Sequence, residues 1–366
     1  MTRYNRKKID RAAYETVLRL WIGKGLLKPE EINSGAMGAE KPYRDYHLLK
    51  RIGLYLGTLI AVHSVIGFFY LAVFDALDGG ENIYKFLMLI TGVSLYILLD
   101  RMIPGSSLYK QGTDDALLHA AFFYTSFGLG ALVDLHLHTL PNMLLGAFIL
   151  LPVAAVSAIR YADSLMAVFT IILIYTIPLL GVALINMQLL FFSALVVIPL
   201  GIFLLTRIGK ADTFKHHYWK NCFSSSRFAI CVLMYASINL YVIKSLAFSL
   251  MGVDDIPLHF VFLALTILAP FIFIVTGLVK KKKYLVHAGL FLLIPTVSTI
   301  RYYYSVMPAE LALMMAGLAI TLVSYFAITH LRKTGTAYTF EADHDEEELN
   351  DMETLGIVQG FGHKEN

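Results

Sequence analysis

The sequence predicts an all-α fold: a polytopic membrane helix bundle of about ten transmembrane helices in two inverted five-helix repeats. Three observations lead to this prediction: a surplus of apolar residues, ten separate apolar runs, and motifs that occur twice. Hydrophobic residues make up 57% of the 366 positions and charged residues only 16%, whereas soluble domains carry about 25% charged residues. The mean hydropathy is +0.64. A net charge of +3 and only two cysteines argue against a nucleic-acid partner and a disulfide scaffold.

The apolar runs are each near the length of about 20 residues that crosses a hydrocarbon core as a helix. A helix satisfies its own backbone hydrogen bonds in lipid, and the alternation expected of barrel strands is absent. The runs span residues 51–74, 83–99, 116–133, 140–158, 164–184, 189–206, 227–250, 258–279, 284–300 and 308–330.

The basic residues predict the orientation of these spans. If the N-terminus is cytoplasmic, all of the 30 Lys and Arg residues lie on the inner side except Lys85, Lys244 and Arg301. The positive-inside rule therefore predicts a multi-pass membrane protein with the N-terminus and the C-terminus both in the cytoplasm.

The segments that flank the spans are predicted to be cytoplasmic. Residues 1–50 lack the apolar core of a signal peptide and show a short helical hairpin with basic flanks. Residues 332–366 form an acidic tail that we expect to be disordered. Either segment could bind a cytoplasmic protein partner, although a simple solvated tail is the alternative for the second.

Two motifs recur in the same order. Asp-Asp-x-x-Leu-His begins at Asp114 and again at Asp254, and Val-Ser-x-Ile-Arg-Tyr begins at Val156 and again at Val297. A weaker match relates the Leu-Tyr pair after Ser94 to the one after Asn239. Because the order, the spacing and the position relative to the spans agree, we interpret the chain as a duplication of residues 51–186 in residues 187–331.

An odd number of spans in each repeat would place the second copy upside down relative to the first. Inverted repeats of this kind are typical of secondary transporters, which bind their solutes near the membrane midplane. We therefore expect a site between the repeats, lined by His63 of the first span and by Asn239 of the seventh.

The repeated charges suggest ion pairs that fix helix ends at the two membrane surfaces. We expect Asp115 to pair with Arg160 in the first repeat and Asp255 to pair with Arg301 in the second. These four residues are predicted to act as structural interface clamps, and a role in substrate binding is the alternative.

Asp115 and Asp255 are each followed four residues later by a histidine, which lies on the same face of the predicted helix. His119 and His259 could therefore pass a proton, or they could only donate an orienting hydrogen bond. His63 is likewise either part of a solute or proton pathway or a packing residue.

Two further clusters contain side chains that can bind metals. One holds Asp134, His136 and His138, and the other holds the His216-His217 pair and Cys222. Neither has a recognised ligand spacing, so we predict no metal and no other cofactor. The sequence shows no phosphate-binding loop and no nucleophile motif, which disfavours an enzyme without removing that interpretation.

The opening Trp21-x-x-x-Gly25 with Pro29-Glu30-Glu31, and the late Arg-Tyr-Tyr-Tyr-Ser run from Arg301, resemble motifs of a group of uncharacterised bacterial multi-spanning proteins that carry a cytoplasmic helical hairpin. That group has a basic residue soon after the aromatic run, where this sequence has Glu310. The resemblance implies a bacterial inner-membrane setting and no particular activity.

Three functions follow as hypotheses. The first is a secondary transporter or permease-like protein of unknown substrate. The second is a membrane scaffold or sensor that recruits cytoplasmic partners through residues 1–50 or 332–366. The third is a membrane enzyme that acts on a lipid-linked substrate.

Overall fold

The computed structural model describes Tyr4, residues 47–76, 81–105, 110–133, 139–211, 218–252, 256–280 and 282–304, and scattered positions between 314 and 329. Most of the predicted N-terminal hairpin, the tenth predicted span and the acidic tail lie outside the described residues. Most of the described residues are helical, and none of them forms a strand.

Within the described residues we number ten α-helices and one 3₁₀ helix. In chain order they are α1 (Leu48–Ala76), α2 (Glu81–Gly105), α3 (Thr113–Leu132), α4 (Leu140–Tyr161), α5 (Ser164–Ile185), the 3₁₀ helix (Met187–Phe192), α6 (Ala194–Ala211), α7 (Lys220–Ala236), α8 (Leu240–Met251), α9 (His259–Val279) and α10 (Lys283–Tyr304).

Seven of these helices are long and apolar enough to cross a membrane: α1, α2, α4, α5, α6, α9 and α10. The bent pair α7 and α8 would bring the number to eight. The sequence predicted ten spans. The third of them is α3, which is less apolar than the others because it contains Asp115, His119 and several small or hydroxyl residues.

The sixth and seventh predicted spans are not single continuous α-helices in the structure. The sixth begins as a 3₁₀ helix, because the Asn186 side chain accepts the backbone N–H of Gln188 at 2.9 Å and caps that tight turn. The seventh is not one helix but two, α7 and α8, which meet at 68°.

The described chain divides into two compact units, one ending at Leu173 and the other beginning at Ile174, so the boundary falls inside α5. In the first unit α3 occupies the centre, where Ala116, Leu118 and Ala121 are at most 2% exposed. Helices α1, α2 and α4 pack against it. The helix that carries Asp114, Asp115 and His119 is therefore largely covered by its neighbours.

Glycines allow the closest helix contacts. A Cβ atom on Gly128 of α3 would lie 2.5 Å from the Leu89 backbone nitrogen of α2. In the second unit a Cβ atom on Gly289 of α10 would lie 2.8 Å from the Pro270 carbonyl oxygen of α9. The tightest pairs, α2 with α3 and α9 with α10, do not correspond under the sequence repeat, so the two halves pack differently.

Candidate functional site

The break between α7 and α8 lies within an otherwise apolar segment. Helix α7 ends at Ala236, and α8 begins only after Asn239, whose side-chain oxygen accepts the Val242 N–H at 3.1 Å. Capping by Asn satisfies a backbone donor that the interrupted helix would otherwise leave without a partner. The break is therefore stabilised by the residue that the sequence singled out in this span.

A buried network of hydrogen bonds surrounds the break. The Asn239 amide nitrogen donates to the Tyr235 hydroxyl at 2.7 Å and to Thr299 Oγ1 at 3.2 Å. The Tyr235 hydroxyl in turn lies 2.7 Å from Thr296 Oγ1 of α10. Each of these four side chains is at most 4% exposed. All the polar atoms of the Asn239 side chain are thus engaged, as burial requires.

Helix α9 contributes one hydroxyl to the same region. Thr266 is fully buried, accepts the backbone N–H of Leu240 at 2.9 Å and donates to the Phe262 carbonyl at 2.7 Å. The first N–H of α8 therefore binds a side chain of another helix instead of its own. Apolar clusters enclose the network on both sides of the break and include Ile243 and Leu292.

The chemistry of this polar network, defined as Tyr235, Asn239, Thr266, Thr296 and Thr299, is that of neutral hydrogen-bonding groups. Hydroxyls and a carboxamide can exchange their mutual hydrogen bonds for those of an uncharged polar solute. They supply no proton acceptor of high basicity and no ion ligand of formal charge. The network suits binding rather than acid–base chemistry.

A second cluster, which contains titratable groups, lies at the start of α3 in the first unit. The Nδ1 atom of His119 is 3.0 Å from the Tyr55 hydroxyl of α1, and its Nε2 atom is 3.4 Å from Asp163 Oδ1 at the corner between α4 and α5. Asp163 is 7% exposed and also accepts the Met166 N–H at 2.7 Å. His119 thereby connects three elements of this unit.

The carboxylates beside His119 have different environments. Burial alone would raise the pKa of Asp163, but the His119 hydrogen bond and charge and the Met166 amide lower it below its usual value. Burial, followed by the charges of Asp114 and Asp163, raises the pKa of Asp115 to about 6, although Arg51 acts in the opposite direction. Asp115 is therefore the carboxyl group that gains a proton most readily.

Asp114 has a structural role in the same region. It is 1% exposed, and its carboxylate accepts the backbone N–H groups of Lys110 and Gln111 at 2.7 and 2.9 Å and the Tyr4 hydroxyl at 2.9 Å. These bonds hold the turn before α3, where Gly112 adopts a φ of 95°. A side chain at position 112 would collide with the Arg51 carbonyl oxygen, since the Cβ position lies 2.3 Å from it.

The predicted Asp115–Arg160 pair is wrong. Arg160 binds Asp100 at the end of α2, with its Nε atom 3.2 Å from Oδ1, and Tyr161 donates to the same oxygen at 2.9 Å. Asp115 instead faces Arg51 of α1 at 3.6 Å. Asp100 lies outside the two repeated motifs, so the repeat gave no signal for this pair.

The structure describes Arg301, His259 and His63 of the remaining predicted site residues, but not Asp255. Asp255 lies outside the described residues, so its pairing with Arg301, which is exposed at the end of α10, stays a prediction. His259 begins α9 and is half-buried against the Phe260 ring at 5.7 Å. His63 is exposed, donates from Nδ1 to the Leu59 carbonyl at 2.8 Å and belongs to the first unit, whereas Asn239 belongs to the second.

Tyrosines at repeat-equivalent positions make the same kind of contact in both units. The rings of Tyr96 and Tyr161 are 6.2 Å apart, and those of Tyr241 and Tyr302 are 5.1 Å apart. Tyr96 and Tyr241 belong to the weaker sequence match, and Tyr161 and Tyr302 end the Val-Ser-x-Ile-Arg-Tyr motif. The ring planes meet at 21° in the first pair and at 83° in the second, so the contact is shared while its geometry differs.

Metal ligands do not converge in the part of the chain that the structure describes, where no group of three His, Cys, Asp or Glu side chains could hold an ion. The histidines at positions 136, 138, 216 and 217 lie outside that part. An enzyme acting on a lipid-linked substrate would need converging titratable groups; His119 meets Asp163 and Tyr55, but Arg160 belongs to the separate Asp100 cluster.

The chain matches no protein-family model, and no curated protein or solved structure is significantly similar to it. In the part of the chain that the structure describes, the fold is helical and contains seven helices, or eight with the bent pair, that are long and apolar enough to cross a membrane.

Proposed function

We propose that the chain is a secondary transporter or permease-like protein of the inner membrane, and that a polar solute binds at the α7–α8 break. Both termini in the cytoplasm, ten spans and two inverted five-helix repeats form part of this proposal. The observation that carries it is the interrupted helix, whose polar network is buried among apolar side chains.

An interrupted helix in a membrane has a physical cost unless something satisfies the freed backbone groups. Transporters use such breaks because half-helix ends and unwound backbone groups bind solutes near the midplane. Here the cost is offset by Asn239 and Thr266, which bind the Val242 and Leu240 N–H groups. A continuous helix would have been sufficient for a protein that only anchors its partners.

The neutral character of the polar network indicates the class of solute. Its five side chains offer hydroxyl and carboxamide groups, and a charged solute would lack a counter-charge among them. An uncharged, hydrogen-bonding solute such as a polyol, a sugar or an amide fits these groups.

The repeat of tyrosine contacts supports duplication of the fold. The Tyr96–Tyr161 and Tyr241–Tyr302 pairs use equivalent positions of two motifs that are far apart in sequence. Since each repeat has five predicted spans, duplication would produce the inverted plan that many transporters share.

Hydrogen–deuterium exchange of the full chain in lipid nanodiscs tests the proposal. If solute and water reach the break, amides of residues 236–242 should exchange at least tenfold faster than those of residues 262–270 in the middle of α9. Equally slow exchange in both segments would show a sealed break and would favour a non-transporting scaffold.

A further inference from the structure

His119 can occupy only one tautomer when it is neutral. An ionised carboxylate accepts hydrogen bonds but cannot donate them, so the proton must lie on Nε2, which is 3.4 Å from Asp163 Oδ1. Nδ1 is then an acceptor, and the Tyr55 hydroxyl at 3.0 Å donates to it. The hydrogen-bond geometry thus fixes the positions of the protons on Tyr55 and His119.

The same geometry accepts a second proton without moving a heavy atom. When Nδ1 gains a proton, the Tyr55 hydroxyl only has to rotate so that its oxygen accepts, because a hydroxyl has both functions. The Nε2–H bond to Asp163 then joins two opposite charges instead of a neutral donor and a carboxylate, which strengthens it. His119 is 16% exposed and Asp163 9% exposed in their side chains, so water screens this pair only partly.

Charged groups of both signs lie around His119. Within the described residues these are Arg51 of α1, which pairs with Asp115 of α3, the neighbouring Asp114, Lys110 of the preceding turn and Asp163 at the α4–α5 corner. Asp163 contacts the imidazole directly. Protonation of His119 therefore forms an ion pair with Asp163.

We propose that His119, between Tyr55 and Asp163, is a proton-binding site whose occupation tightens the attachment of α3 to the α4–α5 corner. This site lies in the first unit and does not depend on solute binding at the α7–α8 break. Asp163 transmits the change, since its carboxylate also caps α5 through the Met166 N–H, and Ala162 before it holds the left-handed turn with a φ of 50°.

The test uses the full chain labelled with ¹⁵N-histidine in nanodiscs, with pH titration followed by NMR. The His119 signal is identified by its loss in His119→Gln. In the unmodified protein it should report a neutral Nε2–H tautomer at high pH and an imidazole protonated on both nitrogens once His119 binds a proton at lower pH.

Asp163→Asn is the informative variant, because an Asn oxygen can still accept the Met166 N–H and preserve the cap. Loss of the carboxylate should shift the midpoint of the His119 titration to lower pH, whereas His287→Gln, at an exposed histidine of α10, should leave it unchanged. A His119 signal that stays neutral down to pH 4.5 in the unmodified protein, or a midpoint that Asp163→Asn does not move, would overturn the proposal.

Discussion

The Asn239 amide donates a 2.7 Å hydrogen bond to the Tyr235 hydroxyl across the break between α7 and α8. This bond joins the last turn of α7 to the N-cap residue of α8. The same Tyr235 hydroxyl also forms a hydrogen bond with Thr296 of α10. The bend is therefore a specified feature of the fold, since a buried polar group is tolerated only with its partners in place.

Replacing Asn239 by Ala should destabilise the protein by about 2–4 kcal/mol, because it removes a helix cap and leaves buried hydroxyl and amide groups without their partners. Asn186→Ala is the matched control, since Asn186 caps the 3₁₀ helix in the same way but is exposed. That variant should lose only about 1 kcal/mol. Thermal unfolding in detergent compares the two, and equal losses would contradict a network at the break.

The Arg160–Asp100 pair predicts a specific rescue. Arg160→Asp should lower the unfolding temperature, and adding Asp100→Arg should restore part of the loss, because it rebuilds the pair in reverse. Adding Asp115→Arg should restore nothing. Since the Arg160 side chain is 41% exposed, we expect a coupling of only about 1 kcal/mol. Rescue by Asp115→Arg instead would show that the originally predicted pair forms.

A side chain at position Gly128 should destabilise the protein. Gly128→Ala places a methyl group 2.5 Å from the Leu89 backbone nitrogen, so α2 and α3 must separate at a cost of about 1–3 kcal/mol. Gly130→Ala on the same helix meets nothing within 4 Å and should be neutral or slightly stabilising. Comparable unfolding temperatures for the two variants would show that the close helix contact does not form.

The raised pKa of Asp115 makes stability depend on pH. Because its pKa rises from an ordinary 3.8 to about 6 in the folded chain, folding favours the protonated form. The resulting stabilisation is complete below about pH 4, is lost as the pH rises through 6 and amounts to about 3 kcal/mol. Asp115→Asn should remove this decline. Unfolding measured at pH 4, 5, 6 and 7.5 tests it, and an unchanged pH profile in the variant would exclude Asp115 as its source.

Apolar runs placed most of the helices correctly because burial in lipid depends on composition alone, which a sequence displays directly. The run at residues 164–184, for example, corresponds to α5 at Ser164–Ile185. The break was not predicted, because Ile238 and Leu240 keep that run apolar and neither Pro nor Gly interrupts it. Asn239 within an apolar stretch was the available signal for a new helix start.

The ion pairs were harder to predict than the helices. Which carboxylate meets Arg160 depends on how α2 and α4 are rotated about their axes, and the sequence does not state this rotation. Asp163 was missed for a related reason: its partner His119 is 44 positions away. Its position just before the apolar run of α5 is typical of a helix cap, which indicated a local role but not the contact with α3.

Alkylation of single cysteines from the two sides of the membrane tests the transport proposal most directly. The background would carry Cys222→Ser and Cys231→Ala, since both native cysteines are buried thiols that form no disulfide. Thr299→Cys reports on the polar network, Ala269→Cys on apolar packing in α9, and Lys220→Cys on an exposed position. If the protein is a transporter, an impermeant thiol reagent should modify the Thr299→Cys variant in both right-side-out and inside-out vesicles. The Ala269→Cys variant should stay unmodified. If position 299 reacts from neither side under conditions where position 220 reacts fully from one, the break is sealed and the protein does not transport through it.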